Sequence, residues 1–141
     1  IPIFPYSVKY NSALYGPFRE AAKSTPNFGD RKTYQMNFKN SEEAINEVKL
    51  DINEGADVII IKPAISYLDI IYRIKQKFNV PIIAYNVSGE YTMVKSASEN
   101  NFINEIETIL EILHSIKRSG ANAIISYHAL EVAKYLKAND L

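Results

Sequence analysis

The chain has 141 residues, of which 47% are apolar, and its 16 basic and 16 acidic side chains give a formal net charge of zero. This length predicts about one domain, and a neutral chain with no basic run longer than two residues excludes the charge pattern of a nucleic-acid binder or a polybasic membrane anchor. No window approaches the ~18 consecutive apolar residues of a membrane span, so we expect a soluble protein. The absence of cysteine excludes disulfides and thiolate metal sites.

Short β-branched runs alternate with longer amphipathic stretches along the chain, which is the pattern of parallel βα units. Four such runs predict strands, at residues 3–8, 58–61, 82–87 and 123–127. After the first of them comes a different segment, residues 16–38, which contains Pro17, Pro26 and Gly29. We expect a long loop there, with one or two helical turns at residues 18–23. Loops of this length inside compact domains are usually functional.

Apolar side chains spaced three or four apart predict the helices that follow the loop. One helix begins at Ser41 and ends before Gly55, and a second begins at Ser66, which is placed to cap it. Three more helices are predicted, from about residue 90, at 105–118 and at 129–137. Gly55 and Gly120 each stand between a helical pattern and a buried strand, so both predict glycine caps at helix ends.

Two lysines end predicted strands of the sheet. Lys62 follows the apolar run at residues 58–61, and Lys9 follows the first strand. The carboxyl end of a parallel strand is where catalytic groups gather in barrels and open α/β sheets. Burial and a second lysine both lower a lysine pKa and yield the free amine that attacks a carbonyl. The alternative is two unrelated lysines that extend into solvent.

Other polar side chains near the same sheet edge suggest roles in binding. Arg19 and Arg31 lie within the long loop, where two guanidinium groups suit a clamp on a carboxylate or phosphate, although ordinary surface arginines are the alternative. Ser88 and Tyr127 follow strands and offer hydroxyls. His128 is a candidate base, but a lone histidine at a strand end is more often structural. No Gly-rich phosphate loop and no Gly-x-Ser-x-Gly motif is present.

Six stretches, taken in order and spacing over essentially the whole chain, resemble one family. They are YSVKY at 6–10, YGPFR at 15–19, GDRKTYQ at 29–35, IKPA at 61–64, YLDI at 67–70 and YNVSGEY at 85–91. The family is porphobilinogen synthase, also called delta-aminolevulinic acid dehydratase. The resemblance implies a (β/α)8 TIM barrel and the condensation of two 5-aminolevulinate molecules to porphobilinogen with loss of two waters, a step of tetrapyrrole and heme biosynthesis.

The resemblance also implies a role for each candidate residue. Lys62 matches the lysine that forms the principal Schiff base, and Lys9 matches the second lysine, which holds the other substrate. The remaining matches concern the substrate carboxylates and a metal. Arg19 and Arg31 match a pair that grips the second substrate's carboxylate, Ser88 and Tyr127 match hydroxyls that bind the first substrate's carboxylate, and Glu47 matches a ligand of an allosteric magnesium site.

A closed barrel needs eight βα units and about 250 residues, whereas four units are predicted here. We therefore expect residues 1–141 to be the C-terminal half of the catalytic barrel, a fragment without its N-terminal half, and the first residue, Ile1 rather than Met, agrees. The family's active-site metal, magnesium or zinc, would then be bound by residues outside this chain. Two departures from the family pattern, Pro5 and Asn11, remove none of the functional groups.

Two other hypotheses stay open from the residues alone: a class I aldolase, which uses one Schiff-base lysine, and a non-enzymatic interaction module. The absence of a Gly-rich turn after the last strand disfavours the aldolase. The family resemblance further implies a homo-oligomer, usually an octamer, that acts on 5-aminolevulinate without nucleic-acid or membrane partners. No signal peptide is predicted, so we expect a cytoplasmic location, with a plastid as the alternative if a transit peptide preceded Ile1.

Overall fold

The computed structural model describes residues 1–22 and 34–140. Within these ranges it contains four strands and six helices, with a short 3-10 turn at Ala13–Tyr15 and another at Ile65–Tyr67. The strands are β1 (Val8–Lys9), β2 (Ile59–Lys62), β3 (Ile82–Asn86) and β4 (Ala123–Ser126). The helices are α1 (Gly16–Ala21), α2 (Glu42–Asn53), α3 (Leu68–Lys77), α4 (Ser88–Glu99), α5 (Glu105–Ser119) and α6 (Ala129–Ala138).

The strands form one parallel sheet in the order β1-β2-β3-β4. Sequential parallel strands with helical crossovers are the arrangement that the alternating pattern predicts, and the prediction is confirmed. The register pairs Lys9 with Lys62 across β1 and β2. Because paired residues of neighbouring strands project from the same face of the sheet, both lysines lie on one face at its carboxyl edge.

The helices pack as a layer that follows the strand order. Helix α2 contacts α3, α3 contacts α5, and α5 contacts α6. Helix α3 buries Ile70, Ile71 and Ile74, which form one stripe of its surface, against the core. The strands supply fully buried residues such as Ile59, Ile61 and Ile82. Burial of this apolar surface between sheet and helices stabilises the βα units.

Helix α4 contacts α5 in this layer and also reaches the segment that follows β1. It begins directly after β3 and contacts α1 and the 3-10 turn at Ala13–Tyr15. Gly89, in its first turn, allows this close approach, since a Cβ atom there would stand 2.5 Å from the carbonyl oxygen of Leu14. The first turn of α4 is thereby held at the carboxyl edge of the sheet, beside the end of β2.

Both predicted glycine caps are present. Gly55 and Gly120 have φ angles of +100° and +124°, in the region that favours glycine. Gly120 is also tightly packed, because a Cβ atom there would stand 2.7 Å from Lys75 Cγ.

Two details of the sequence prediction are wrong. The strand expected at residues 3–8 is reduced to Val8–Lys9. The segment before it does run beside β2, since Ile3 and Pro5 carbonyls accept backbone hydrogen bonds from Val58 and Ile60. Pro5 has no N–H to return, however, so a regular ladder does not form there.

The second error concerns the start of α3. Ser66 lies inside the 3-10 turn at Ile65–Tyr67, and Tyr67 occupies the N-cap position without a side-chain capping hydrogen bond.

No helix within the described ranges is long and apolar enough to cross a membrane.

Candidate active site

A cavity of about 250 Å³ opens at the carboxyl edge of the sheet. Side chains from the β1 region, the following turn and helix, and the ends of β2, β3 and β4 meet there. The lining residues are Tyr6, Tyr15, Phe18, Lys62, Tyr85, Val87, Ser88 and Tyr127. A concave, mainly apolar site with a few polar groups at the ends of parallel strands is the usual form of a small-molecule site in this fold class.

Lys62 is the cationic side chain of this cavity lining. It ends β2, and its Nζ lies 3.6 Å from the ring centroid of Tyr6, 5.4 Å from that of Tyr85 and 6.0 Å from that of Tyr15. Within the described ranges no carboxylate lies at ion-pair distance from this ammonium group. Lys62 therefore faces aromatic rings rather than an anion.

The surroundings of Lys62 favour its neutral amine. Burial of the ammonium group, followed by the positive charge of Lys9, lowers the pKa of Lys62 from 10.5 to about 8. The ring of Tyr6 attracts the cation, but an interaction of about 0.5–2 kcal/mol does not outweigh these effects. Roughly a tenth of the amine is then neutral at pH 7, against less than a thousandth at the ordinary value. A neutral lysine amine is a nucleophile toward carbonyl compounds.

The phenols of Tyr85 and Tyr15 do not act as counter-ions to Lys62 at neutral pH. Burial raises the pKa of Tyr85 to about 12, with a smaller contribution from Tyr127, and burial also raises the pKa of Tyr15. The Tyr15 hydroxyl donates a hydrogen bond to the Lys62 carbonyl oxygen at 3.2 Å. The protonated Tyr15 hydroxyl therefore fixes the backbone of Lys62.

Lys9 is the register partner of Lys62 on the neighbouring strand, and its Nζ lies 5.9 Å from the ring centroid of Tyr34. Its charge acts on the pKa of Lys62, which places the two ammonium groups within electrostatic reach. The register thus places the two lysines side by side at the end of the sheet, although Lys9 is not among the residues that line the cavity.

Ser88 and Tyr127, the two hydroxyl candidates, also line the cavity. Ser88 is buried, and its Oγ accepts a hydrogen bond from the Phe18 backbone N–H at 3.1 Å. The same hydroxyl still has a proton to donate to a ligand. Tyr127 is half-exposed, with its ring 6.5 Å from that of Tyr85 and 5.7 Å from that of Tyr91, measured between centroids.

The two arginines are placed differently by the structure. Arg19 lies on α1, and its guanidinium carbon is 5.5 Å from the Tyr15 ring centroid, beside the cavity but outside its lining. Arg31 lies outside the described residues.

Two further candidates lie away from the cavity lining. His128 is buried at the start of α6, and its Nδ1 is 3.6 Å from a Glu131 carboxylate oxygen, beyond hydrogen-bonding distance. Burial lowers the pKa of His128. Glu47 is exposed on α2, and in residues 1–22 and 34–140 no group of three or more His, Cys, Asp or Glu side chains is arranged to hold a metal ion.

The sequence reasoning assigned no role to several residues that shape the site. Tyr6, Tyr15 and Tyr85 surround Lys62, yet they come from three separate segments, and only the fold brings them together. Glu90 is buried at 1% exposure beneath the cavity wall. A Glu in the first turn of a helix is the available signal for Glu90, and it equally fits an ordinary helix start.

Comparisons with known proteins identify relatives over nearly the whole chain. The family model of delta-aminolevulinic acid dehydratase matches residues 1–135. The dehydratase of Bacillus subtilis is 58% identical over 136 residues, which are 96% of this chain and 42% of the relative. The dehydratase of Synechococcus elongatus is 58% identical over 135 residues, covering 96% and 41% of the two chains.

A solved structure extends this result to the fold. It is delta-aminolevulinic acid dehydratase (porphobilinogen synthase) from Toxoplasma gondii ME49 in complex with the reaction product porphobilinogen, and it matches with a TM-score of 0.93 at 48% identity. The match covers 95% of this chain and 38% of that one. The predicted fold class, four βα units of a (β/α)8 barrel, is confirmed.

The chain spans about two fifths of the length of the relatives it matches. The family match itself extends over residues 1–135, with all six of the predicted motifs inside it. The chain therefore belongs to the delta-aminolevulinic acid dehydratase family.

Proposed function

We propose that this chain supplies the Schiff-base lysines of a porphobilinogen synthase. The observation that supports this most directly is Lys62, whose amine lies in an aromatic cavity at the end of β2, with its pKa lowered to about 8. A Schiff-base enzyme needs such an amine at neutral pH. The relatives named above are dehydratases of 5-aminolevulinate, and one of them binds porphobilinogen.

We further propose that residues 1–141 form part of a larger catalytic barrel, its C-terminal half. Two observations support this proposal. The chain covers 41–42% of the two bacterial relatives, and β4 stands at the end of the sheet with Ile125 exposed. A (β/α)8 barrel closes by pairing its outer strands, so β4 would pair with a strand from the remaining part of the enzyme.

In the proposed reaction the neutral Lys62 amine attacks the ketone carbon of one 5-aminolevulinate. A C–N bond forms, the carbonyl oxygen takes up protons and leaves as water, and an imine remains. When protonated, the imine withdraws electrons and makes the neighbouring carbon acidic, so that this carbon can attack a second substrate. Condensation of two 5-aminolevulinate molecules to porphobilinogen releases two waters in all.

The remaining side chains position the two substrates. Lys9 would hold the second 5-aminolevulinate, with Arg19 and Arg31 on its carboxylate, and the hydroxyls of Ser88 and Tyr127 would bind the first substrate's carboxylate. The cavity position of Ser88 and Tyr127 supports their assignment. Fixed carboxylates decide which ends of two identical molecules meet, which turns a bimolecular condensation into a positioned one.

The described residues do not form a metal site, and we derive no step through a metal. An active-site divalent cation, magnesium or zinc, would have its ligands in the part of the enzyme outside this chain. We retain Glu47 as a proposed ligand of an allosteric magnesium ion, with its other ligands from water or from outside the described residues. A homo-oligomeric enzyme, an octamer in the family, and a cytoplasmic or plastid location are proposals that rest on the family resemblance.

Borohydride trapping tests the proposed function. The intact enzyme is mixed with 5-aminolevulinate, the imine is reduced to a stable amine, and the modified lysine is identified by peptide mass spectrometry. We expect the adduct on Lys62, and Lys62→Ala should abolish it while Lys9→Ala retains it. Labelling that survives Lys62→Ala but not Lys9→Ala would reverse the two roles, and no lysine adduct in the wild type would contradict the Schiff-base mechanism.

A further inference from the structure

The Glu90 carboxylate is buried in the first turn of α4, close behind the site. Its two oxygens accept hydrogen bonds from four N–H donors, the backbone N–H groups of Ala64, Ile65 and Val87 and the side-chain amide of Asn86. A buried acceptor with this many donors is costly to replace, because each buried donor left without a partner destabilises the fold. The arrangement therefore fixes the segments that supply the donors.

One carboxylate oxygen holds the chain directly after Lys62. Glu90 Oε1 accepts from the Ala64 N–H at 3.0 Å and from the Ile65 N–H at 2.6 Å. Since Pro63 has no N–H, these are the first two backbone donors that follow Lys62. The position of the Lys62 backbone is thus tied to the carboxylate on one side, while the Tyr15 hydroxyl holds its carbonyl on the other.

The other oxygen holds the end of β3 directly and the end of β4 through Asn86. Glu90 Oε2 accepts from the Val87 N–H at 2.6 Å and from Asn86 Nδ2 at 3.2 Å. Asn86 Oδ1 in turn accepts a hydrogen bond from the Ser126 hydroxyl at 2.8 Å. The residues that follow these two strands are the cavity residues Ser88 and Tyr127.

The donor set matches an ionised carboxylate. All four groups are N–H donors, and an ionised carboxylate only accepts hydrogen bonds. A glutamine side chain at this position has the same shape but carries an NH2 group in place of one oxygen. In either orientation that NH2 group would face two N–H donors, and neither of them would have an acceptor. Burial raises the pKa of Glu90, and its four hydrogen bonds oppose that effect.

We infer that Glu90 is a positioning residue that sets the spacing between the Lys62 nucleophile and the hydroxyls of Ser88 and Tyr127. The inference rests on the proposed function and extends it to a side chain that does not line the cavity. One buried carboxylate joins the ends of β2, β3 and β4, so its loss would let the nucleophile and the carboxylate-binding hydroxyls move apart. A misplacement of about 1 Å costs a reaction up to about a hundredfold in rate.

The test compares Glu90→Gln and Glu90→Asp with the wild type in the intact enzyme. For Glu90→Gln we expect kcat to fall at least tenfold and KM for 5-aminolevulinate to rise at least threefold, because both the nucleophile and the carboxylate-binding hydroxyls lose their common anchor. The rate of borohydride-trapped adduct formation on Lys62 should fall with kcat. Glu90→Asp keeps an acceptor on both oxygens and should recover at least threefold of the lost rate. Glu99→Gln, exposed on the same helix, is the matched control and should be unchanged.

The outcomes separate this inference from the proposed function. No wild-type adduct on Lys62 would overturn the proposed function. The positioning role alone would be overturned if the wild type forms the adduct and Glu90→Gln keeps its adduct rate and kcat within twofold of the wild type. A lower melting temperature of Glu90→Gln would not change that conclusion.

A second variant keeps the inference open to test if Glu90→Gln does not fold. Ser126→Ala removes two hydrogen bonds, the one from the Ser126 hydroxyl to Asn86 and the one that this hydroxyl accepts from the His128 N–H, and leaves the four bonds of Glu90 in place. We expect KM for 5-aminolevulinate to rise at least threefold, while adduct formation on Lys62 at saturating substrate stays within twofold. An unchanged KM would overturn the link between Glu90 and the hydroxyls.

Discussion

At the scale of single residues, the reactivity of Lys62 depends on what surrounds its amine. Burial and the charge of Lys9 lower its pKa to about 8. The neutral amine is the attacking form, so adduct formation with 5-aminolevulinate should increase with pH and reach half its maximum near pH 8. Single-turnover trapping in the intact enzyme between pH 6 and 10 measures this midpoint. A rate of adduct formation that still rises steeply at pH 10, as the ordinary lysine value of 10.5 requires, would show that burial does not tune Lys62.

The contribution of Lys9 to this midpoint has a definite sign. Lys9→Met removes a positive charge that disfavours the Lys62 ammonium form, so the pKa of Lys62 should increase and the midpoint should move above pH 8. Lys49→Met, exposed on α2, is the matched control and should leave the midpoint in place. A midpoint that moves down in Lys9→Met would contradict the like-charge effect.

At the scale of elements, Gly55 and Gly120 both follow helices with a positive φ angle but lie in different surroundings. Neither position favours a side chain, since φ is +100° at Gly55 and +124° at Gly120. A Cβ atom at Gly55 meets nothing within 4 Å, whereas one at Gly120 would stand 2.7 Å from Lys75 Cγ and 2.8 Å from Lys75 Cβ. We expect Gly55→Ala to lower the free energy of unfolding by about 1 kcal/mol from backbone strain alone.

Gly120→Ala adds the collision with α3 and should cost about 2 kcal/mol or more. Urea denaturation of the intact enzyme carrying each substitution measures the difference between these two sites. Equal losses at both glycines would mean that the Lys75 side chain moves aside without cost, and that backbone strain accounts for the whole effect.

At the scale of the whole molecule, the sheet has an open edge and an exposed apolar surface. β4 ends the strand order with Ile125 exposed, and Leu130, in the following helix, is also exposed. At the other end of the sheet, Ile3 and Phe4 are exposed. An unpaired edge beside apolar side chains favours association with another strand.

The isolated chain of 141 residues should therefore not melt cooperatively as a monomer. We expect a broad thermal transition by circular dichroism and self-association in analytical ultracentrifugation, and co-expression with the remaining part of the enzyme should suppress both. A sharp two-state melt of a monomer would contradict the proposal that these residues are part of a larger barrel.

The sequence predicted the βα units well and the site only in part. Strands β2, β3 and β4 and the helices were predictable because buried strands and amphipathic helices impose a period on apolar residues. The first strand was too long in the prediction because Pro5 follows the apolar pattern but lacks the N–H that a ladder needs. Lys9 and Lys62 were predicted to lie near each other because each ends a strand of one parallel sheet, and the register pairs them, although only Lys62 lines the cavity.

The sequence by itself determined the order of strands and helices, the two strand-end lysines and the family motifs, because each of these depends only on local residue patterns and spacings. Only the tertiary structure decided what surrounds Lys62: the rings of Tyr6, Tyr15 and Tyr85 from three distant segments. It also decided the role of Glu90, whose Oε1 partners lie 25 and 26 residues away. The lowered pKa of Lys62 depends on desolvation, and the role of Glu90 depends on long-range hydrogen bonds. Neither can be predicted from a local sequence pattern.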